Sequence, residues 1–242
     1  MTGDDDLPAV VVSHPKSGRT WLRFLLTHAL DDTEIVTLRD AAIAVPDADR
    51  PPWPLGVAVT HDPAWLDRAP AAVALLRDPG EILVSFWFHA TQHRATDRFE
   101  GSFAAFLDSE LGMPALVDFL GGVVRAVAAP AIVTYDDLLS DPASTLARVV
   151  EICGRVADPA RIAAAVDAGR FDVLQAVEAA QPINERFDAA RPDRNRVRAG
   201  RADRGRSLLS DEERARLRDR IRDGVGPELG RIRGALPDDW AL

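Results

Sequence analysis

Cysteine is almost absent from this sequence: Cys153, in VVEICGR, is the only one in 242 residues. A lone cysteine excludes an internal disulfide framework, and no Cys/His cluster has zinc-ligand spacing. The expected role of Cys153 is that of a small buried apolar residue near a helix end. Long apolar runs are missing as well. No uninterrupted stretch approaches the roughly 20 residues that span a bilayer, which argues against a membrane protein. The acidic start MTGDDD has neither the basic nor the apolar region of a secretory leader, so a cytoplasmic location is the expectation. Positive charge is in deficit, with 29 basic against 38 acidic residues and a net charge of −9. That argues against a general nucleic-acid binder, whose affinity comes from neutralising phosphates. There is no internal repeat and no low-complexity linker. The length suits one α/β domain over residues 1–242, with 1–6 expected to be disordered.

What the sequence does contain is a regular alternation. Short runs rich in β-branched residues recur at AVVVS (9–13), GVAVT (56–60), AAVALL (71–76) and AIVTY (131–135), each followed by a polar turn. Continuous apolar strands alternating with helical patterns predict a mainly parallel sheet with helices on both faces, a three-layer α/β/α fold of the P-loop nucleotide-hydrolase type. Residues 19–30 put Leu22, Leu25, Leu26 and Ala29 on one helical face. In RDPGEILVSFWFHA, Asp78, Pro79 and Glu81 occupy the N-cap, first and third positions of a helix. Asp141 and Pro142 repeat that start signal, with Gly154 as the expected C-terminal stop. A last helix is capped by Ser210 or Asp211. Between Arg186 and Arg206 arginines concentrate in a stretch with few apolar residues, a long loop with something anionic to meet.

The first strand runs directly into SHPKSGRT (13–20), which matches the phosphate-binding pattern G-x-x-x-x-G-K-[ST] in part. Gly18 and Thr20 are in register, Ser13 replaces the first glycine, and Arg19 stands in the lysine position. A strand before and a helix after complete the context. Backbone amides from Ser17 to Trp21, aided by the helix dipole, are expected to converge on a phosphate-like anion. Lys16 has moved to the middle of the loop, which favours an anion arrangement unlike that of a kinase.

PKSGRTW resembles the 5′-phosphosulfate loop of the sulfotransferases that use 3′-phosphoadenosine 5′-phosphosulfate (PAPS), written PKSGTTW, and only Arg19 departs from it. LLRDPGEILVSFWFH is similar to that family's 3′-phosphate motif, an arginine after a strand and a serine eight residues on, here Arg77 and Ser85. VAVTHDPAWL resembles the segment that ends a strand in Thr-His, the histidine being the catalytic base, which maps to His61. VTYDDLLSDP resembles the segment with an adenine-contacting tyrosine, here Tyr135, and Trp21 has a counterpart that stacks on adenine. VRAGRADRGRSLLS resembles the late loop that closes over the nucleotide; Arg198 and Gly200 carry over, Ala199 replaces its lysine, and Arg201 is placed to restore the charge. The resemblance implies PAPS as donor and 3′-phosphoadenosine 5′-phosphate (PAP) as product, a lid at 181–206, and an acceptor pocket from Thr91 to Arg125 and Gln181 to Asn195, with Phe99, Phe103 and Phe106 among its residues. It also implies that Lys16, Ser17, Gly18, Arg19, Thr20 and Trp21 line the donor site.

The chemistry suits these residues. In-line sulfuryl transfer builds charge on the leaving phosphate and the sulfuryl oxygens and requires no metal in principle. Lys16 would neutralise the leaving oxygen. A histidine, with an ordinary pKa of about 6.5, would take the proton of a hydroxyl or amine on a small-molecule or sugar acceptor. His61, at the carboxyl end of a strand, ranks ahead of His89, which lies one helical turn beyond Ser85. His14 is expected to shape the loop, and His28 to sit packed or exposed on its helix. Two other readings stay open at this level: a magnesium-dependent P-loop kinase or NTPase using Asp78 or Asp136 for the metal, and a non-catalytic anion-binding module. Arg19 counts against the first, because a guanidinium is no substitute for an ammonium there.

Overall fold

The computed structural model describes residues 7–30, 35–37, 56–93, 98–174 and 208–236. The expected disordered start and the 181–206 lid, with Arg198, Gly200 and Arg201, lie outside them. Five parallel strands form one sheet: β1 (Ala9–Ser13), β2 (Ile35–Thr37), β3 (Val57–Thr60), β4 (Ala72–Leu76) and β5 (Ala131–Thr134), in the order β2-β3-β1-β4-β5. The apolar strands of the sequence are buried on both sides. Val10 and Val12 face one layer with Ala58, Ala74 and Leu76, while Val11 faces the other with Val57, Val59, Val73 and Leu75.

The second face is covered by α1 (Arg19–Ala29), α6 (Pro142–Ile152) and α7 (Pro159–Ala168), through Leu22, Leu25, Leu26, Leu146, Val149 and Ile162. The first face is covered by α2 (Pro79–Phe88), α4 (Met113–Arg125) and α8 (Asp211–Val225), through Leu83, Phe86, Leu116, Leu120, Leu217 and Ile221. The fold is therefore the three-layer α/β/α arrangement that the sequence predicts.

The start signals act as expected. The carboxylates of Asp78 and Asp141 accept from the amides of Glu81 and Ser144 at 2.8 and 3.1 Å. Ser210, rather than Asp211, caps α8 in a reciprocal box with Glu213. Gly154 takes the left-handed conformation just past α6, with φ +72°. Cys153 is buried at the end of α6, and burial pushes its thiol up to about 11, so it is an inert core group. No described helix is long and apolar enough to cross a membrane.

Several elements differ from the expectation. β2 is a fifth strand of only three residues. Tyr135 opens a helix, α5 (Tyr135–Ser140), instead of ending β5, because Thr134 and Asp137 form a second capping box. α3 (Phe103–Asp108) and α4 follow α2, and Phe106 is fully buried in the core, so it does not line an acceptor pocket.

Candidate active site

Strand register brings the motifs together. Val12 pairs with Thr60, so the next residues, Ser13 at the end of β1 and His61 just past β3, stand side by side. Leu76 pairs with Thr134, so Arg77 and Tyr135 do the same on the far side of β1. All four stand at the carboxyl ends of parallel strands, where open α/β sheets place their ligands.

The loop between β1 and α1 turns on two left-handed residues, Lys16 at φ +75° and Gly18 at φ +98°. Among the described residues Lys16 is the only non-glycine with positive φ. Such a conformation costs about 1–2 kcal/mol for an L-residue and persists only where the surroundings impose it. Gly18 has a second constraint, because a Cβ there would sit 2.5 Å from Cδ2 of Tyr135. The amides of Ser17 and Trp21 donate within the loop, to the carbonyls of His14 and Gly18 at 3.2 and 3.0 Å. The predicted cradle of amides is thereby narrowed to the residues between them. α1 starts with no side-chain cap and no acidic residue in its first turn, as does α4 among the described helices, whereas α2, α3, α5, α6, α7 and α8 are each capped by Asp, Thr or Ser. An uncapped helix start with its dipole unopposed suits an anion. Ser17 is fully buried, and its hydroxyl has no hydrogen-bond partner among the described residues. Arg19 is the first residue of α1 and is partly buried; Thr20 follows it, exposed.

His61 is held by its backbone neighbours. Thr60 accepts from the Asp62 amide at 3.1 Å, and Asp62 caps the short 3₁₀ turn Pro63–Asp67. The His61 Nδ1–H donates to the Ser13 carbonyl. A carbonyl only accepts, so the neutral ring carries its proton on Nδ1 and a bare lone pair on Nε2. Burial, then the charge of Arg19, lowers its pKa to about 4; Lys16 adds to the shift and the Ser13 bond opposes it. The ring is therefore an unprotonated base at neutral pH. His14 is also neutral, with burial lowering its pKa to about 4. Its Nδ1–H donates to the Pro15 carbonyl at 2.9 Å, and its ring is edge-on to Phe86 and Phe119 at 5.8 and 5.5 Å. His14 shapes the loop, as the sequence suggests. His28 is exposed, bonded to the Phe24 carbonyl.

Arg77 reaches across to the loop. One guanidinium nitrogen donates to the Lys16 carbonyl at 3.0 Å, another meets the Glu81 carboxylate at 3.3 Å, and the group lies 4.3 Å over the Tyr135 ring. Trp21 stands beside Tyr135 at 6.0 Å between ring centroids, and its indole N–H donates to the Gly169 carbonyl at 2.9 Å. Ser85 is partly buried on α2. His89 follows where α2 gives way to a single π turn (His89–His93), and its ring stacks on Phe86 at 6.3 Å. Of the two carboxylates that the kinase reading offers as alternatives, Asp78 caps α2 and Asp136 is exposed on α5.

Sequence reasoning missed Glu81, which reads as a helix-start acid and turns out to hold Arg77. It also missed a plain signal in composition. Lys16 is the only lysine among the 29 basic residues, and Tyr135 the only tyrosine. Both fall at this one site.

A model of the sulfotransferase domain family matches residues 6–226. No curated protein sequence matches the chain significantly. Among solved structures, a mouse sulfotransferase complexed with PAP is similar at a TM-score of 0.66 and 16% identity, over 93% of this chain and 87% of that one. Retinol dehydratase, complexed with androsterone and inactive cofactor PAP, is similar at 0.63 and 18%, over 90% and 80%. A second structure of retinol dehydratase, with retinol and PAP, gives 0.61 and 17%, over 90% and 81%. These likenesses bear on the fold, and the domain match covers nearly the whole length: the chain belongs to the sulfotransferase domain family.

Proposed function

We propose that this protein transfers the sulfuryl group of PAPS to a hydroxyl, or an amine, of a small-molecule or sugar acceptor, releasing PAP. The observation that carries the reading is Lys16, held in a left-handed turn at an uncapped helix start, in the same loop whose first residue, Ser13, holds the His61 ring through its carbonyl. The PAP named in the three similar structures, and the retinol and androsterone named in two of them, support a nucleotide donor and a small-molecule acceptor.

The residues fit such a donor. The open start of α1 and the buried Ser17 hydroxyl, which has no hydrogen-bond partner among the described residues, suit the 5′-phosphate, with Gly18, Arg19 and Thr20 alongside. Arg77 and Ser85 serve the 3′-phosphate, and Tyr135 and Trp21 the adenine; Arg198 and Gly200, outside the described residues, are assigned to the same donor. In the transfer, the acceptor oxygen bonds to sulfur as the sulfur–oxygen bond to the 5′-phosphate breaks. The acceptor's proton passes to Nε2 of His61, and Lys16 balances the charge that builds on the departing oxygen. A fixed cation is worth most there because that charge grows only as the bond breaks.

Calorimetric titration with PAP tests this reading. Binding is expected to be indifferent to magnesium and to weaken at least tenfold in Arg77→Ala, in line with about 1.5–3 kcal/mol for a charged hydrogen bond. ATP binding that requires magnesium, with no response to PAP, would overturn it in favour of a kinase-type loop.

A further inference from the structure

Glu81 occupies the third position of α2, where an acid ordinarily serves the helix start. Its carboxylate is almost fully buried, 3% exposed as a residue, and lies on Arg77. Arg77 in turn holds the carbonyl of Lys16, the residue whose backbone is left-handed. We propose that Glu81 is a positioning residue for Lys16, acting through Arg77: the carboxylate fixes the guanidinium fork, and the fork fixes the turn that presents the lysine. The inference rests on the sulfotransfer reading of the same site.

The geometry gives each side of the fork a task. One Nη is on Glu81, the other is on the Lys16 carbonyl, and the flat face lies over Tyr135, whose ring edge abuts Gly18. Only two of the five N–H donors of Arg77 are used in these contacts, and Nε is buried with no hydrogen-bond partner among the described residues. An arginine side chain has many rotamers, and the buried Glu81 carboxylate, held on one Nη, selects the conformer whose other Nη reaches the loop. The ligand end and the lysine end of the site are therefore joined through a single side chain.

This arrangement makes a prediction that a merely structural acid does not. Removing the Glu81 charge leaves Arg77 more positive toward a bound 3′-phosphate, yet loosens its hold on Lys16. Affinity for PAP and engagement of Lys16 should therefore separate. Because Lys16 is the only lysine, trace acetylation of the full chain with acetic anhydride, read by peptide mass spectrometry, reports on that one side chain. In the wild type, saturating PAP is expected to slow acetylation of Lys16 at least tenfold. In Glu81→Gln, the dissociation constant for PAP stays within threefold of wild type or tightens, while protection of Lys16 falls below threefold. Glu81→Asp keeps the charge and restores protection to above fivefold. Wild-type protection in Glu81→Gln at saturating PAP overturns the inference, as does parallel loss of affinity and protection in both variants. No protection by PAP in the wild type overturns the sulfotransfer reading itself, and the inference with it.

Discussion

Lys16→Met is expected to lower the rate of sulfuryl transfer by about 10²–10³-fold, the usual loss when one preorganised donor to a developing oxyanion is removed. The effect falls on turnover more than on PAP affinity. In the ground state the 5′-phosphate is also served by the α1 amides and dipole, whereas the charge on the departing oxygen appears only in the transition state. Lys16→Arg should recover little, because a planar fork cannot occupy the place of a compact ammonium in a turn fixed by Arg77 and Gly18. The check is PAP formation from PAPS at saturating acceptor, set beside calorimetric PAP affinity for each variant. Equal losses in rate and affinity would make Lys16 a binding residue only.

His61→Gln is expected to cost about 10²–10⁴-fold in transfer, the range for loss of a general base, with PAP affinity nearly unchanged. The pH dependence follows from its surroundings. Burial and the cations Arg19 and Lys16 lower its pKa to about 4 in the free protein, so the base form is lost only as pH falls through that value, well below the ordinary histidine range. Bound donor brings negative charge against those same cations and offsets their effect, which moves the acid limb upward. Proton NMR titration of the His61 ring should therefore show it unprotonated from pH 5 to 8 in free protein, with a higher midpoint once PAP is bound. A free-protein midpoint near 6.5, or a downward shift with PAP, would contradict this account of the base.

The strand, loop and helix around PKSGRTW were legible because each leaves a local mark: β-branched residues, then glycine and polar residues, then the stripe Leu22, Leu25, Leu26. Asp78, Asp141 and Ser210 were legible as caps for the same reason. What escaped was whatever depends on register. Nothing near His61 in sequence says that its Nδ1–H will meet the Ser13 carbonyl; the pairing of Val12 with Thr60 decides it. Arg77 reaches Tyr135 because Leu76 pairs with Thr134. Glu81 was hidden by an equally good local explanation, since an acid at that helix position needs no tertiary partner. β2 has three residues, too few for a periodic signal, and Phe106 reads the same whether it faces a ligand or the core.

Sulfuryl transfer itself is the decisive observable. The wild-type protein would be incubated with PAPS carrying isotopically labelled sulfur and a mixed set of small alcohols, phenols, amines and sugars, without added metal. The products would be searched by mass spectrometry for the labelled sulfuryl group. The proposed function predicts labelled sulfate esters or sulfamates formed together with PAP, and their disappearance in Lys16→Met and His61→Gln. Labelled product formed at the same rate by those two variants would contradict it.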